Sequence, residues 1–199
     1  MPINSFLYPG AKFTPAYEVA NSLRFDDGSS DYLSRTPSGS GNRKTFTISA
    51  WVKRANLGSF GILTQGSSGT NYNNWFFLSG DTFSTQFSQG GSVIAHLVTT
   101  QVFRDVSAWY HIVLAVDTTQ ATASNRMKLY VNGSQITSFS TETYMSQNTD
   151  TLFNHTDQIN WSGGAGATGS YFDGYLAECV MIDGSQLTPT SFGEFDSDT

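Results

Sequence analysis

The segment Thr45–Arg54, TFTISAWVKR, puts Phe46, Ile48, Ala50 and Val52 on one side and Thr45, Thr47, Ser49, Trp51 and Lys53 on the other. Strict alternation of this length fits a half-buried β-strand and no helix, because successive side chains on a pleated strand point to opposite faces. Shorter versions of the signal recur along the whole chain: SLRF (22–25), DYLSR (31–35), SFGILTQG (59–66), NWFFLSG (74–80), TFSTQFS (82–88), SVIAHLVTT (92–100), WYHIVLAVD (109–117), TDQINW (156–161) and FDGYLAECVMIDG (172–184). Gly, Asn or Ser breaks each junction. No window carries a convincing 3.6-residue period, apart from one short helical turn expected over 188–195 after Pro189. No internal repeat is visible. About ten strands without helices define an all-β sandwich or barrel.

The segment MKLYVNG (127–133) adds a turn to a strand. Met127, Leu129 and Val131 alternate with Lys128 and Tyr130 and run into Asn132-Gly133. Both turn residues tolerate the positive φ of a type I′ turn, so an antiparallel hairpin with Met127, Leu129 and Val131 in the core is predicted.

Composition agrees with a turn-rich β protein. Of 199 residues, 38% are hydrophobic, 14% aromatic and only 13% charged, with 19 glycines. A chain of this length buries roughly 70% of its unfolded surface, and the aromatics supply core material. The net charge of −6 and the lack of a basic stripe argue against a nucleic-acid partner. No apolar run approaches the roughly 20 residues of a membrane helix, so no membrane insertion is expected. The single cysteine, Cys179, reads as a buried strand position alternating with Met181, not a nucleophile. The N-terminus has neither a basic n-region nor a long apolar h-region, so it is not a secretory signal. Synthesis in a reducing cytoplasm is expected, with the sequons at Asn132, Asn154 and Asn160 unused.

Three regions follow. Residues 1–20 lack either periodicity; Pro2, Pro9 and Pro15 punctuate Phe6, Leu7, Tyr8, Phe13 and Tyr17, giving an extended arm. Exposed aromatics are a liability, so this arm is read as an assembly element that docks on a neighbouring subunit. Residues 21–187 form the sandwich and 188–199 a C-terminal tail.

Chemistry is sparse. His96 and His111 lie inside strand patterns, His155 outside them, and no pair has zinc-ligand spacing. The echo of a paired-carboxylate glycosidase motif at Glu194 and Asp196 lacks a third carboxylate and a strand, and Glu178 has no acidic partner two residues away. The catalytic set is therefore empty, and no cofactor is expected unless calcium binds. Asp26-Asp27-Gly28 and Asp173-Gly174 are acidic turns that could meet at one rim, which makes Asp27 and Asp173 the calcium candidates. For a sugar ligand, Tyr72, Asn73 and Asn74 in a presumed 69–74 loop, with Trp161 at a second tip, combine stacking rings and amides. The loop Gly163-Gly164-Ala165-Gly166 opens no helix and is read as a rim loop, not a phosphate cradle.

With those residues in place, the chain resembles the concanavalin A-like, laminin-G-like jelly-roll family. The matching blocks are SLRFDDGSSDYLSR, FTISAWVKR, NWFFL, WYHIVLAVD, MKLYVNG and FDGYLAECVMIDG, in the family's order over residues 22–184. The resemblance implies two antiparallel sheets of six or seven strands each, with the first strand paired near the last. The wording DGSSDYLSRTPS near the start and IDGSQLTPTSFGEFD near the end also resembles proteins of tailed bacteriophages, especially marine ones. In that group such domains sit in fibres, receptor-binding proteins and head decorations, with further sequence beyond the segment matching FGEFDSDT. The resemblance implies a virion surface protein that needs no signal peptide, partners among other virion proteins, homo-oligomers and cell-surface glycans. The expected functions are non-enzymatic glycan adhesion, a purely structural role in the particle or, last, glycoside hydrolysis.

Overall fold

The computed structural model describes residues 21–163 and 170–193. The arm residues Phe6, Leu7, Tyr8, Phe13 and Tyr17, most of the glycine-rich loop, and Glu194 with Asp196 lie outside the described residues.

Among the described residues thirteen strands build the fold: β1 (Leu23–Phe25), β2 (Leu33–Arg35), β3 (Thr45–Arg54), β4 (Phe60–Ser68), β5 (Asn71–Phe77), β6 (Thr82–Gln89), β7 (Ser92–Val102), β8 (Tyr110–Asp117), β9 (Met127–Val131), β10 (Ser134–Gln135), β11 (Phe139–Thr143), β12 (Ile159–Trp161) and β13 (Gly174–Asp183). They form a six-stranded sheet in the order β1-β13-β3-β8-β9-β10 and a seven-stranded sheet in the order β11-β7-β6-β5-β4-β12-β2. Every pairing is antiparallel. Two such sheets packed face to face form the two-sheet jelly-roll sandwich the sequence predicts. As expected, the first strand pairs with the last, Leu23 opposite Leu176 and Phe25 opposite Gly174.

The alternation on β3 is realised without exception: Phe46, Ile48, Ala50 and Val52 are fully buried between the sheets. Met127, Leu129 and Val131 join them, and Asn132 (φ 47°) and Gly133 (φ 79°) make the predicted turn. The Asn132 Oδ1 also accepts from the His111 backbone N–H at 2.8 Å, tying the hairpin to β8. The seven-stranded sheet contributes Leu63, Trp75, Phe77, Phe83, Phe87 and Leu97, none of them exposed. Each fully buried side chain of this size stabilises the fold by roughly 1.5–3 kcal/mol.

One end of the sandwich is closed by charge. Arg54, at the end of β3, is completely buried and donates to the Phe103 carbonyl at 2.7 Å and the Gly58 carbonyl at 3.0 Å. It reaches Asp81 Oδ1 at 3.1 Å and lies 4.5 Å from the Phe77 ring centre. The other Asp81 oxygen meets Arg104 Nε at 3.1 Å.

The chain after β13 is tied back to the six-stranded sheet. Thr47 Oγ1 donates to the Ser185 carbonyl at 2.7 Å and accepts from the Leu187 N–H at 2.8 Å. Pro189–Ser191 form the short helical turn, of 3-10 type. Phe192 then packs over Val113, Ala115 and Tyr130 on the outer face of the six-stranded sheet.

Strand β13 carries a bulge between Ala177 and Val180. Simple alternation from the inward-facing Leu176 would aim Glu178 inward; instead Glu178 takes φ 48° and is exposed, while Cys179 packs against the core. An inserted residue shifts the phase of a strand, which is what a bulge does.

Candidate functional site

The outer face of the seven-stranded sheet carries a polar row that crosses every strand. Successive cross-strand partners are Ser34 on β2, Asn160 on β12, Thr64 on β4, Asn74 on β5, Gln86 on β6, His96 on β7 and Thr143 on β11. Directly opposite residues on a sheet share a face, so all of these point away from the core. Near β4 the row is covered: Thr64 and Asn160 are buried, and Thr64 Oγ1 donates to the Gly163 carbonyl at 2.9 Å. Gly61 permits that cover, since the chain passes with Gly61 N–H donating to the Ser170 carbonyl at 2.7 Å. A Cβ on Gly61 would sit 3.0 Å from that oxygen and 3.0 Å from the Phe76 ring.

Over β5, β6 and β7 the row is partly open. Tyr72 lies on the same face as Asn74, two residues away, and opposite Ser88. Gln86 Nε2 donates to Tyr72 Oη at 3.0 Å and to Ser88 Oγ at 3.2 Å. Ser84 Oγ and His96 Nε2 are 3.0 Å apart. Burial holds the His96 imidazole below its usual 6.5, so the ring is neutral at neutral pH. The result is an uncharged, half-buried face with a phenol, a carboxamide and an imidazole braced from beneath by the buried Ser84 and Ser88 hydroxyls and flanked by the half-buried Phe76. Preplaced neutral donors and acceptors beside an aromatic face suit hydroxyl-rich ligands.

The structure divides the sequence-predicted sugar set. Tyr72 and Asn74 are on the open face, but on a strand, because the presumed 69–74 loop becomes β5 from Asn71 onward. Asn73 alternates inward and is fully buried opposite Gln65 and Phe87, out of reach of any ligand on this face. Trp161 also faces inward: it pairs with Leu63 and Leu33 and packs edge-on against the buried Trp75 at 6.4 Å. It lies on the opposite side of the sheet from Tyr72 and cannot share a ligand with it there. The residues that sequence reading missed are Gln86, Ser84, Ser88 and His96. The alternation in TFSTQFSQ marks an outward polar face, but their meeting with Tyr72 depends on register.

The acidic turns do meet. Pairing of β1 with β13 brings one carboxylate oxygen from each of Asp26, Asp27 and Asp173 within 4.8 Å of one another. Oxygen donors at a strand end fit a hard divalent cation, which takes roughly six to eight of them. The site is already part-neutralised, however. Arg24 Nη2 sits 2.7 Å from Asp173 Oδ1 and its guanidinium lies over Tyr175 at 5.3 Å. Asp26 accepts from the Gly28 N–H at 3.0 Å and the Ser29 hydroxyl at 3.3 Å. Calcium held here by Asp26, Asp27 and Asp173 would compete with Arg24 for the Asp173 charge.

The two antiparallel sheets define a concanavalin A-like β-sandwich. The profile described as the concanavalin A-like lectin/glucanases superfamily, of laminin G type, matches residues 27–190. The chain belongs to this family. No curated protein matches it in sequence. Among solved structures, it is similar to the SAP-like pentraxin of Limulus polyphemus, a native heptamer, with 14% identity and TM-score 0.56 over 79% of this chain and 71% of that one. It is similar to domains LG4-5 of the mouse laminin α1 chain, with 14% identity and TM-score 0.61 over 89% of this chain. The module CBM40 of a Ruminococcus gnavus sialidase, solved with α2,3 sialyllactose, matches with 12% identity and TM-score 0.54 over 80% of this chain and 95% of that one. At such identities the likeness establishes the fold alone. The chain spans only 45% of the laminin α1 fragment and 33% of a laminin α2 fragment. Among the described residues no helix is long and apolar enough to cross a membrane.

Proposed function

We propose that this domain is a non-enzymatic glycan-binding module on the surface of a tailed-bacteriophage virion, in a decoration or fibre, where it adheres to host or environmental glycans. The observation that carries the binding part is the partly open stretch of the polar row, with half-buried Tyr72, Asn74, Gln86 and His96 in line and Gln86 bonded to Tyr72 and to the buried Ser88. The mutual bonds hold the half-buried Tyr72 and Gln86 in place, and preorganisation lowers the entropic cost of binding. A lectin-type family and sandwich neighbours that include a sialyllactose-bound module agree with this reading. The virion part rests on the sequence resemblance in 27–38 and 182–196.

A glycan array tests the site. Wild-type protein is expected to show saturable binding that falls at least tenfold in Tyr72→Ala and in Gln86→Ala, while Trp161→Phe binds as wild type. Binding that ignores both outer-face changes would remove this face from consideration. Antibody labelling of intact phage particles tests the location; particles that stay unlabelled would sink it. A purely structural role is the second reading, favoured by the aromatic arm, and array silence combined with labelled particles would select it.

A further inference from the structure

The sandwich is open along one side. There β1, an edge of the six-stranded sheet, faces β2, an edge of the seven-stranded sheet. Between them runs a cleft. Its wider part, of about 630 Å³, is lined by Leu33, Ile48, Ile159, Trp161, Cys179 and Met181. A narrower extension of about 190 Å³ runs past Leu23 and Leu176 to Asn21 and Ser22. The rim segment over the wide part is Pro37-Ser38-Gly39-Ser40-Gly41, which has no bulky apolar side chain to close it. At the mouth Leu23 is 53% and Leu33 50% exposed. Two strand edges flank a slot with an apolar floor, and in its wide part Arg35, Gln65, Asn154 and Asp183 add a polar margin. Such a slot invites an extended peptide, whose side chains can sit on the floor while its backbone meets the polar margin.

The chain supplies such a peptide at that place. Residues 1–20 join the described structure at Asn21, which is itself a wall of the narrow extension. They carry Phe6, Leu7, Tyr8, Phe13 and Tyr17. From Phe13 to Asn21 an extended chain reaches roughly 26–29 Å, a span on the scale of the sandwich itself, and the tether gives a high effective concentration. Pro9 and Pro15 fix φ and lack an N–H, which suits a segment lying on a sheet edge and excludes it from a sheet interior. We propose that residues 6–17 dock in the cleft between β1–β13 and β2–β12 of their own chain, seating aromatic side chains against Trp161, Leu33 and Met181. The arm then serves first as the missing side wall of its own sandwich. This inference stands independently of glycan binding.

The lone cysteine makes the test direct, because Cys179 lies in both parts of the cleft. Single replacements Leu7→Cys, Tyr8→Cys, Phe13→Cys and Tyr17→Cys are oxidised with diamide in the full-length chain, and disulfides are mapped by mass spectrometry. A bond to Cys179 needs Cα atoms within about 7 Å, so it reports contact. An intrachain bond from at least one position is expected. Bonds formed only between chains would place the arm in a second copy and overturn the proposal, as would none at any position. A second readout is alkylation of Cys179, expected to accelerate at least tenfold when residues 1–20 are deleted; an unchanged rate would also overturn it.

Discussion

Asp81 is the residue whose loss the structure prices most clearly. It faces Arg54, whose side chain has no exposure at all, and its own side chain is only 11% exposed. Replacing it by Asn keeps the shape, and Asn tolerates the backbone at φ 64°. The carbonyl acceptors of Phe103 and Gly58 remain, but the guanidinium loses its buried counter-charge. Removing one partner of a buried pair costs about 3–5 kcal/mol, and the surviving amide bond points to the lower value, about 3 kcal/mol. For a domain of this size that corresponds to about 6–12 °C in Tm. Urea denaturation at pH 7, followed through tryptophan fluorescence, measures it. The comparison is Arg104→Ala, whose side chain is 64% exposed; its loss should cost under about 1 kcal/mol. The pH dependence gives a second check. Burial pushes the Asp81 carboxyl up, but the Arg104 and Arg54 contacts outweigh it and hold the group below its usual 3.8. The unfolded chain therefore binds the proton first as pH falls. The carboxylate's contribution is complete above about pH 4, lost as pH drops through the folded value, and the gap to Asp81→Asn narrows there. An Asp81→Asn variant within 1 kcal/mol of wild type at pH 7, or Arg104→Ala matching it, would refute the reasoning.

Further outcomes follow from other sites. Burial holds His96 and His111 below 6.5, so the unfolded chain protonates first; stability should be full above that pH and fall below it, with a shallower fall in His96→Gln/His111→Gln. Calcium should raise Tm only at millimolar levels because Arg24 competes for Asp173; Arg24→Gln should tighten binding and Asp173→Asn abolish it, and a calorimetric titration in which Arg24→Gln binds no tighter would contradict the geometry. Gly61→Ala should cost about 1–3 kcal/mol through overpacking against Phe76 and the Ser170 carbonyl, read by the same urea titration; a neutral change would mean the covering chain yields freely.

What could be read from the sequence follows from how local each signal is. The inward face of β3 and the Asn132-Gly133 turn are written in consecutive residues, and both appear as predicted. The 69–74 stretch misleads because Asn is a turn former by propensity, whereas Asn73 is held in β5 by pairing with Gln65 and Phe87. Trp161 looks like a rim ring beside a glycine-rich loop, yet the register of β12 on β4 turns it inward. Gln86 and His96 are invisible as partners until β6 and β7 are laid side by side. The phase change at Glu178 needs a bulge that alternation alone does not announce. Asp27 and Asp173 were legible as acidic turns, and their meeting follows once the first and last strands pair.

The place of β13 has a consequence in time. It lies between β1 and β3, inside its sheet, although it is the last of the described strands. A nascent chain can form the β4–β7 meander early, but β3 must wait with one edge unpaired until Asp183 has been made. Contacts this distant in sequence are entropically expensive and slow to form. Closure of this sheet should therefore wait for β13, and a ribosome stalled before residue 174 should hold a chain that binds chaperones and yields to protease.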